Sequence, residues 1–115
     1  RQEHFDDLRK TCDSSLEQKW LQQVFDQQMM LPSDGQELIE DCSTRPDFLY
    51  RRPDGTFAIY VDGPHHDADG QNRLDDEINS CLISKGFMAI RFHHAANWNQ
   101  LFDEYSEIFG PRKKS

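Results

Sequence analysis

Asp47 and Asp62 sit in two segments that read as neighbouring strands: Arg45-Pro46-Asp47-Phe48-Leu49-Tyr50, and Ala58-Ile59-Tyr60-Val61-Asp62-Gly63-Pro64-His65-His66-Asp67. Strand side chains alternate between faces, so acids entering from adjacent strands can meet at one point along a sheet. Two carboxylates held that close repel each other unless a proton or a cation lies between them. A hard divalent cation with oxygen ligands, Mg²⁺ or Mn²⁺, is the natural occupant. Such an ion lowers the pKa of its bound water and offsets charge on a phosphoryl oxygen, which is the chemistry of metal-assisted hydrolysis. A histidine within hydrogen-bond reach can carry the remaining proton, and His65 and His66 stand beside Asp62.

Each of these residues has a plainer reading beside the chemical one. Asp47 after Pro46 suits a turn, and Asp62-Gly63 suits the end of a strand. His65 and His66 could be loop residues in solvent, and His93-His94, after a strand, are expected to face solvent. Arg91 could contact a phosphate or form a structural ion pair. Glu17 closes a Ser14-x-x-Glu17 capping box, yet at helical spacing it falls within the apolar arc of Leu16, Trp20, Leu21 and Val24. A carboxylate on a buried stripe is costly unless paired, so capping and a role at the site both remain open. A zinc site built on His65, His66 and Asp67 has poor spacing, because adjacent histidines diverge and no CxxC or HxxxH accompanies them.

The elements that must position these groups follow from local signals. The capping box opens a helix over residues 15–30, and Pro32, Ser33, Asp34 and Gly35 form a loop. Residues 37–42 are ambiguous between helix and strand, with strand favoured. Residues 45–50 and 56–62 form strands joined through Pro53-Asp54-Gly55 as a hairpin. Residues 72–85 are helical and stopped by Gly86. Phe87 to Phe92 is a short strand, and Asn97 caps a last helix to Phe109. The order α-β-β-β-α-β-α predicts a four-stranded mixed sheet. Its first three strands form a meander, and the fourth arrives after a helix as a parallel neighbour. Helices on both faces would make three layers, α/β/α.

Composition bounds what such a fold can do. The chain of 115 residues, 36% hydrophobic with eight Phe and two Trp, has the size of a single domain spanning 1–115. No apolar run reaches the roughly 18 residues of a membrane span, and no signal-peptide pattern opens the chain. Cys12, Cys42 and Cys81 are an odd count without a CxxC pair, which predicts reduced thiols in an intracellular, cytoplasmic protein. The chain opens without Met and closes on a basic tail over residues 110–115, so it is expected to be a C-terminal piece of a longer protein. A formal net charge of −8 argues against gripping nucleic acid unaided, since phosphate neutralisation supplies most non-specific affinity. Positive charge is local, at Arg51-Arg52, Arg91 and the tail.

The run Arg45-Pro46-Asp47-Phe48 followed by Ile59-Tyr60-Val61-Asp62-Gly63-Pro64-His65-His66 resembles the PD-(D/E)xK restriction-endonuclease-like superfamily. The similar branch is that of the very-short-patch-repair endonuclease, whose kind of domain is also found at the C-terminus of some bacterial superfamily 2 helicases. The resemblance implies a restriction-endonuclease-like α/β/α core that hydrolyses DNA with Mg²⁺ or Mn²⁺ beside a helicase or other region of the same protein. It implies Asp47 as principal metal ligand, with Asp62 and the helix acid Glu17 completing the site. His66 would assist proton transfer; apart from the resemblance, His65 and Arg91 stand as candidate substrate contacts by their position. The sequence departs from the family pattern in two places. Tyr60 stands where many relatives carry Glu, and the Lys of the family name is missing, since Asp62 is followed by Gly63-Pro64. A catalytically degenerate fold serving as a nucleic-acid or protein docking module is therefore the alternative.

Overall fold

The computed structural model describes residues 1–64 and 69–113, with 69–75 as backbone only. The elements run α1 (Gln2–Thr11), α2 (Ser15–Asp26), β1 (Asp34–Gly35), β2 (Phe48–Arg52), β3 (Gly55–Asp62), α3 (Asp69–Ser84), β4 (Phe87–His93), α4 (Trp98–Glu104) and α5 (Ser106–Phe109), with a 3₁₀ turn at Glu40–Cys42. The fold is mixed α/β, with five α-helices among the described residues around one four-stranded mixed sheet. None of these helices is long and apolar enough to cross a membrane.

The sheet order is β1-β2-β3-β4, antiparallel between the first three strands and parallel between β3 and β4. A two-residue loop, Pro53-Asp54, closes the hairpin where Arg52 faces Gly55. The parallel partner follows α3, because a parallel neighbour needs a long crossover. Gly86 stops α3 in the left-handed conformation, φ 85°, which costs glycine nothing. Period-two alternation then divides the sheet between two cores. Phe48, Tyr50, Ile59, Val61, Ile90 and Phe92 pack with side chains of α1, α2, α4 and α5. Leu49, Ala58 and Tyr60 pack instead with Ile78, Cys81 and Leu82 of α3 and with Cys42.

Trp20 lies at the centre of the larger core, fully buried. Its ring stacks on Phe48 with centroids 4.9 Å apart, meets Phe92 edge-on at 5.4 Å and lies 5.7 Å from Phe102. Helix α2 therefore seats its apolar stripe on the sheet through one aromatic anchor. The indole N–H has no hydrogen-bond partner among the described residues.

Several expectations need correction. The segment at 37–42 is not a strand. It holds the 3₁₀ turn and one isolated bridge, Ile39 to Thr44, while the first strand is the dipeptide Asp34–Gly35 inside the expected loop. Helix α1 was not foreseen. Its apolar contribution is only Phe5 and Leu8, one turn apart, too sparse to stand out against its charges. Helix α1 docks closely: at Gly35 a Cβ would overlap the Thr11 side chain. Helix α2 ends at Asp26, four residues early, because Gln28 turns left-handed at φ 56° and sends Met29 back into the core. The last helix breaks at Tyr105 into α4 and α5.

The cysteines give the largest correction. Cys42 and Cys81, 39 residues apart in sequence, have Cα atoms 5.6 Å apart and form a disulfide, leaving Cys12 as the free thiol. Counting and spacing could not reveal a pair that only the packing of α3 against the 3₁₀ turn brings together. The inference of a reduced, intracellular chain from its odd cysteine count loses its basis.

The buried anchor yields a stability test. Trp20→Ala should cost about 3–5 kcal/mol, as large-to-small changes of a buried aromatic do. Trp20→Phe should cost clearly less, because it also removes the unpaired buried N–H. Urea unfolding of both variants, followed by far-ultraviolet circular dichroism, measures the difference.

Candidate functional site

The site forms where the hairpin strands meet the start of α2. Asp47 stands one residue before β2, and its backbone N–H continues the ladder by donating to the Ile59 carbonyl at 2.9 Å. Its side chain is clamped across the hairpin, with Oδ2 accepting the Val61 N–H at 2.6 Å. Asp47 is thus fixed by the strand pairing itself and is not a free turn residue.

Glu17 approaches from α2, where it is the third residue after the Ser14 cap and also lies on the buried stripe. The Ser14 hydroxyl accepts the Glu17 N–H at 3.2 Å, which is the N-cap bond, and donates to Glu17 Oε2 at 2.7 Å. The other carboxylate oxygen turns inward, and only 5% of the residue is exposed. There Glu17 Oε1 accepts from Gln36 Nε2 at 2.5 Å, and the same amide nitrogen lies 3.4 Å from Asp47 Oδ1. Gln36 adopts a left-handed φ of 54° to reach this position, and its backbone N–H is bound to the Asp47 carbonyl at 3.1 Å. Gln36 is thus a non-glycine residue in a costly backbone conformation that joins the buried Glu17 to the half-buried Asp47.

The electrostatics follow from this crowding. Burial pushes the Asp47 carboxyl up to about 8, and neighbouring Glu17 adds to the rise. The hydrogen bonds from Val61 and Gln36 oppose the shift without cancelling it. The nearby Cys12 thiol is raised to about 12, first by burial and then by the negative charge of Glu17 and Asp47. Cys12 is consequently a poor nucleophile.

Asp62 ends β3 in a different environment. Arg91, opposite Tyr60 in the β3–β4 register, places Nη1 at 2.9 and 3.1 Å from the two Asp62 oxygens. The Arg91 guanidinium carbon also lies 4.4 Å from the centre of the Tyr60 ring, a cation–π distance. Tyr60 is held in turn by a buried hydrogen bond between its hydroxyl and that of Thr44 at 2.8 Å.

These residues line one cleft of about 520 Å³, with Asp13, Glu17, Asp47 and Asp62 as its acids and Arg45 and Arg91 as its cations. The fold brings Glu17, Asp47, Asp62 and Arg91 to a common cavity but sorts them into two groups. Glu17 and Asp47 face each other through Gln36, while Asp62 is engaged by Arg91. His65 and His66 lie outside the described residues. His93 and His94, expected in solvent, are half-buried with their rings 4.3 Å apart. Among the described residues no three His, Cys, Asp or Glu side chains converge as a metal-ligand set. The Asp47–Glu17 pair alone still fits a Mg²⁺-like ion, which binds through one or two carboxylates and keeps several waters. Sequence reading missed Gln36 and Thr44, since a lone Gln after Gly35 and a lone Thr before Arg45 carry no local signal.

The raised Asp47 pKa makes stability depend on pH in a defined direction. Its folded value of about 8 exceeds the ordinary 3.8, so between these values the folded chain binds the proton more tightly than the unfolded chain. The stabilisation is complete below the lower value and is lost as pH rises through the upper one. Asp47→Asn, which keeps an acceptor for Val61 N–H, should be insensitive to this change and overtake the wild type by roughly 1–3 kcal/mol at pH 9 without divalent cations. Denaturant unfolding of both proteins at pH 5, 7 and 9 tests it. No protein-family model, curated protein or solved structure matches the chain.

Proposed function

We propose that the chain is a metal-dependent nuclease domain that hydrolyses phosphodiester bonds in DNA. The observation that carries this reading is the Asp47–Glu17 pair. A buried carboxyl raised to about 8 beside a second acid, at the end of a strand and open to a cleft, is built for a cation. The element order supports it, with a helix, a three-stranded meander, a crossover helix and a parallel fourth strand. In this reading those elements form a restriction-endonuclease-like three-layer α/β/α core. The domain works beside a helicase or other region of the same protein, in the cytoplasm, a location that follows from the nuclease reading and not from the cysteines.

The residues divide the work. Asp47 and Glu17 would hold Mg²⁺ or Mn²⁺, which supplies a bound water of lowered pKa and positive charge for a phosphoryl oxygen. Val61 N–H and Gln36 fix the orientation of the two acids. Asp62 anchors Arg91, and Tyr60 supports its guanidinium, so the guanidinium is fixed at the wall of the cleft that receives the phosphate, its charge shared with the Asp62 carboxylate. His66 carries the proton, as the DGxxH pattern implies, and His65 beside it contacts substrate.

A second reading, a degenerate nuclease fold used for docking nucleic acid or protein, is favoured by one observation. Asp62 is engaged by Arg91, and Tyr60 takes the place of a family acid, which leaves the Asp47–Glu17 pair as the core of any ion site.

A nicking assay on supercoiled plasmid with Mg²⁺ and Mn²⁺ decides between the two. Wild type should nick and Asp47→Ala should fall to background. Gln36→Ala should lose about 10–100-fold, as expected for a residue that orients a ligand. Equal inactivity of wild type and Asp47→Ala with both metals, alongside retained DNA binding, would establish the docking module instead.

A further inference from the structure

The Cys42–Cys81 disulfide takes no part in the chemistry above, yet both of its ends lead into the cleft. Two residues beyond Cys42, Thr44 holds the Tyr60 hydroxyl at 2.8 Å, and Thr44 and Arg45 line the cavity. One helical turn before Cys81, Ile78 lines the same cavity from α3. The disulfide therefore ties the irregular segment 39–46 to α3 directly behind the groups that support Arg91. A charged tie close by is the exposed pair of Asp41 with Lys85, the residue after α3, at 3.1 Å. Exposed pairs of that kind hold little, so the covalent bond adds chiefly to the apolar packing of Ile39 and Cys42 against Ile78 and Leu82. Ser43 beside it ends the 3₁₀ turn left-handed at φ 51°, a conformation that costs a non-glycine residue free energy.

We infer that the Cys42–Cys81 bond is a redox latch on the cleft: oxidised, it holds segment 39–46 in the competent arrangement, and reduced, it lets that wall loosen. The regulatory role rests on the nuclease reading. DNA in a cytoplasm lies among reducing thiols, where a persistent structural disulfide is rare and a redox-sensing one is the usual kind. Cys42 is buried while Cys81 is half-buried, so the Cys81 sulfur is the accessible point of attack. A thiolate of a dithiol reductant forms a bond to Cys81 Sγ as the Cys42–Cys81 bond breaks, and Cys42 leaves as a thiolate and takes a proton. The reductant's second thiol then closes on the first sulfur, releasing Cys81 as a thiol. Two electrons and two protons reach the protein, and the dithiol becomes a cyclic disulfide. Freed of its anchor, Thr44 loosens its hold on Tyr60, and Arg91 loses the ring beneath it.

Hydrogen exchange read by mass spectrometry, on the whole chain with and without dithiothreitol and on the Cys42→Ser/Cys81→Ser double variant, tests the latch. The reduced protein and the double variant should lose about tenfold or more protection at residues 39–46 and 60–62, with residues 20–24 of α2 unchanged. Plasmid nicking should fall in parallel and return on reoxidation of the wild type but not of the double variant. Equal loss of protection in α2 would reduce the bond to a general staple and overturn the latch, as would no change at residues 39–46. Local loosening with nicking unaffected would overturn its regulatory role. Absence of nicking in every state would sink the nuclease reading, while the exchange pattern would still decide whether the bond holds the cleft wall. Should the double variant fail to fold, reduction of the wild type supplies the same comparison.

Discussion

The burial of Asp47 beside Glu17 is the constraint on which the rest of the site depends. Placing two acids in a half-dry pocket costs free energy that hydrophobic packing elsewhere must offset. The chain limits that cost with three fixed dipoles: the Val61 amide, the Gln36 side chain and the Ser14 hydroxyl. Each comes from a different element, so the site exists only when α2, the β1–β2 connection and the β2–β3 hairpin are assembled together. Anchoring α2 through Trp20 is therefore part of the site's construction as well as of the core.

The same hairpin separates two kinds of electrostatic environment. Asp47 sits among partial charges and a second acid, while Asp62 sits against a full cation. The two residues share a cavity but differ in what they can still accept. An ion-paired carboxylate has already spent its attraction on its partner. A carboxylate that meets only dipoles and another acid retains its demand for positive charge. Proximity in one cleft thus overstates the equivalence of the two aspartates.

The parts of this structure that were legible in the sequence are those specified locally. Alternation and the Pro53-Asp54-Gly55 turn determine the hairpin, Ser14 and Asn97 cap their helices as expected, and Gly86 ends α3. The parallel pairing of β4 followed from the intervening helix. Features created by tertiary packing were not legible. Leu38-Ile39 resembles strand composition, but Leu38 is exposed and Ile39 makes one bridge, because the segment is shaped by its tie to α3. Gln36 has no signature, because its importance lies in a left-handed backbone that only the surrounding contacts sustain. Glu17 was legible in its cap and in its burial, because a cap at Ser14 and a place on the buried stripe are set by helical periodicity alone.

The close seating of α1 on Gly35 has a consequence at some distance from its cause. Gly35 precedes Gln36 directly, and the space a side chain would need at 35 is filled by Thr11. A methyl group there would push the helix off the strand or pull the strand off the helix, and Gln36 would move with the strand. An uncharged substitution that touches neither acid would then alter the pocket's chemistry through geometry alone. The shortest strand of the sheet is in this sense a spacer: the bare Cα of Gly35 lets α1 seat against the residue that precedes the bridging amide.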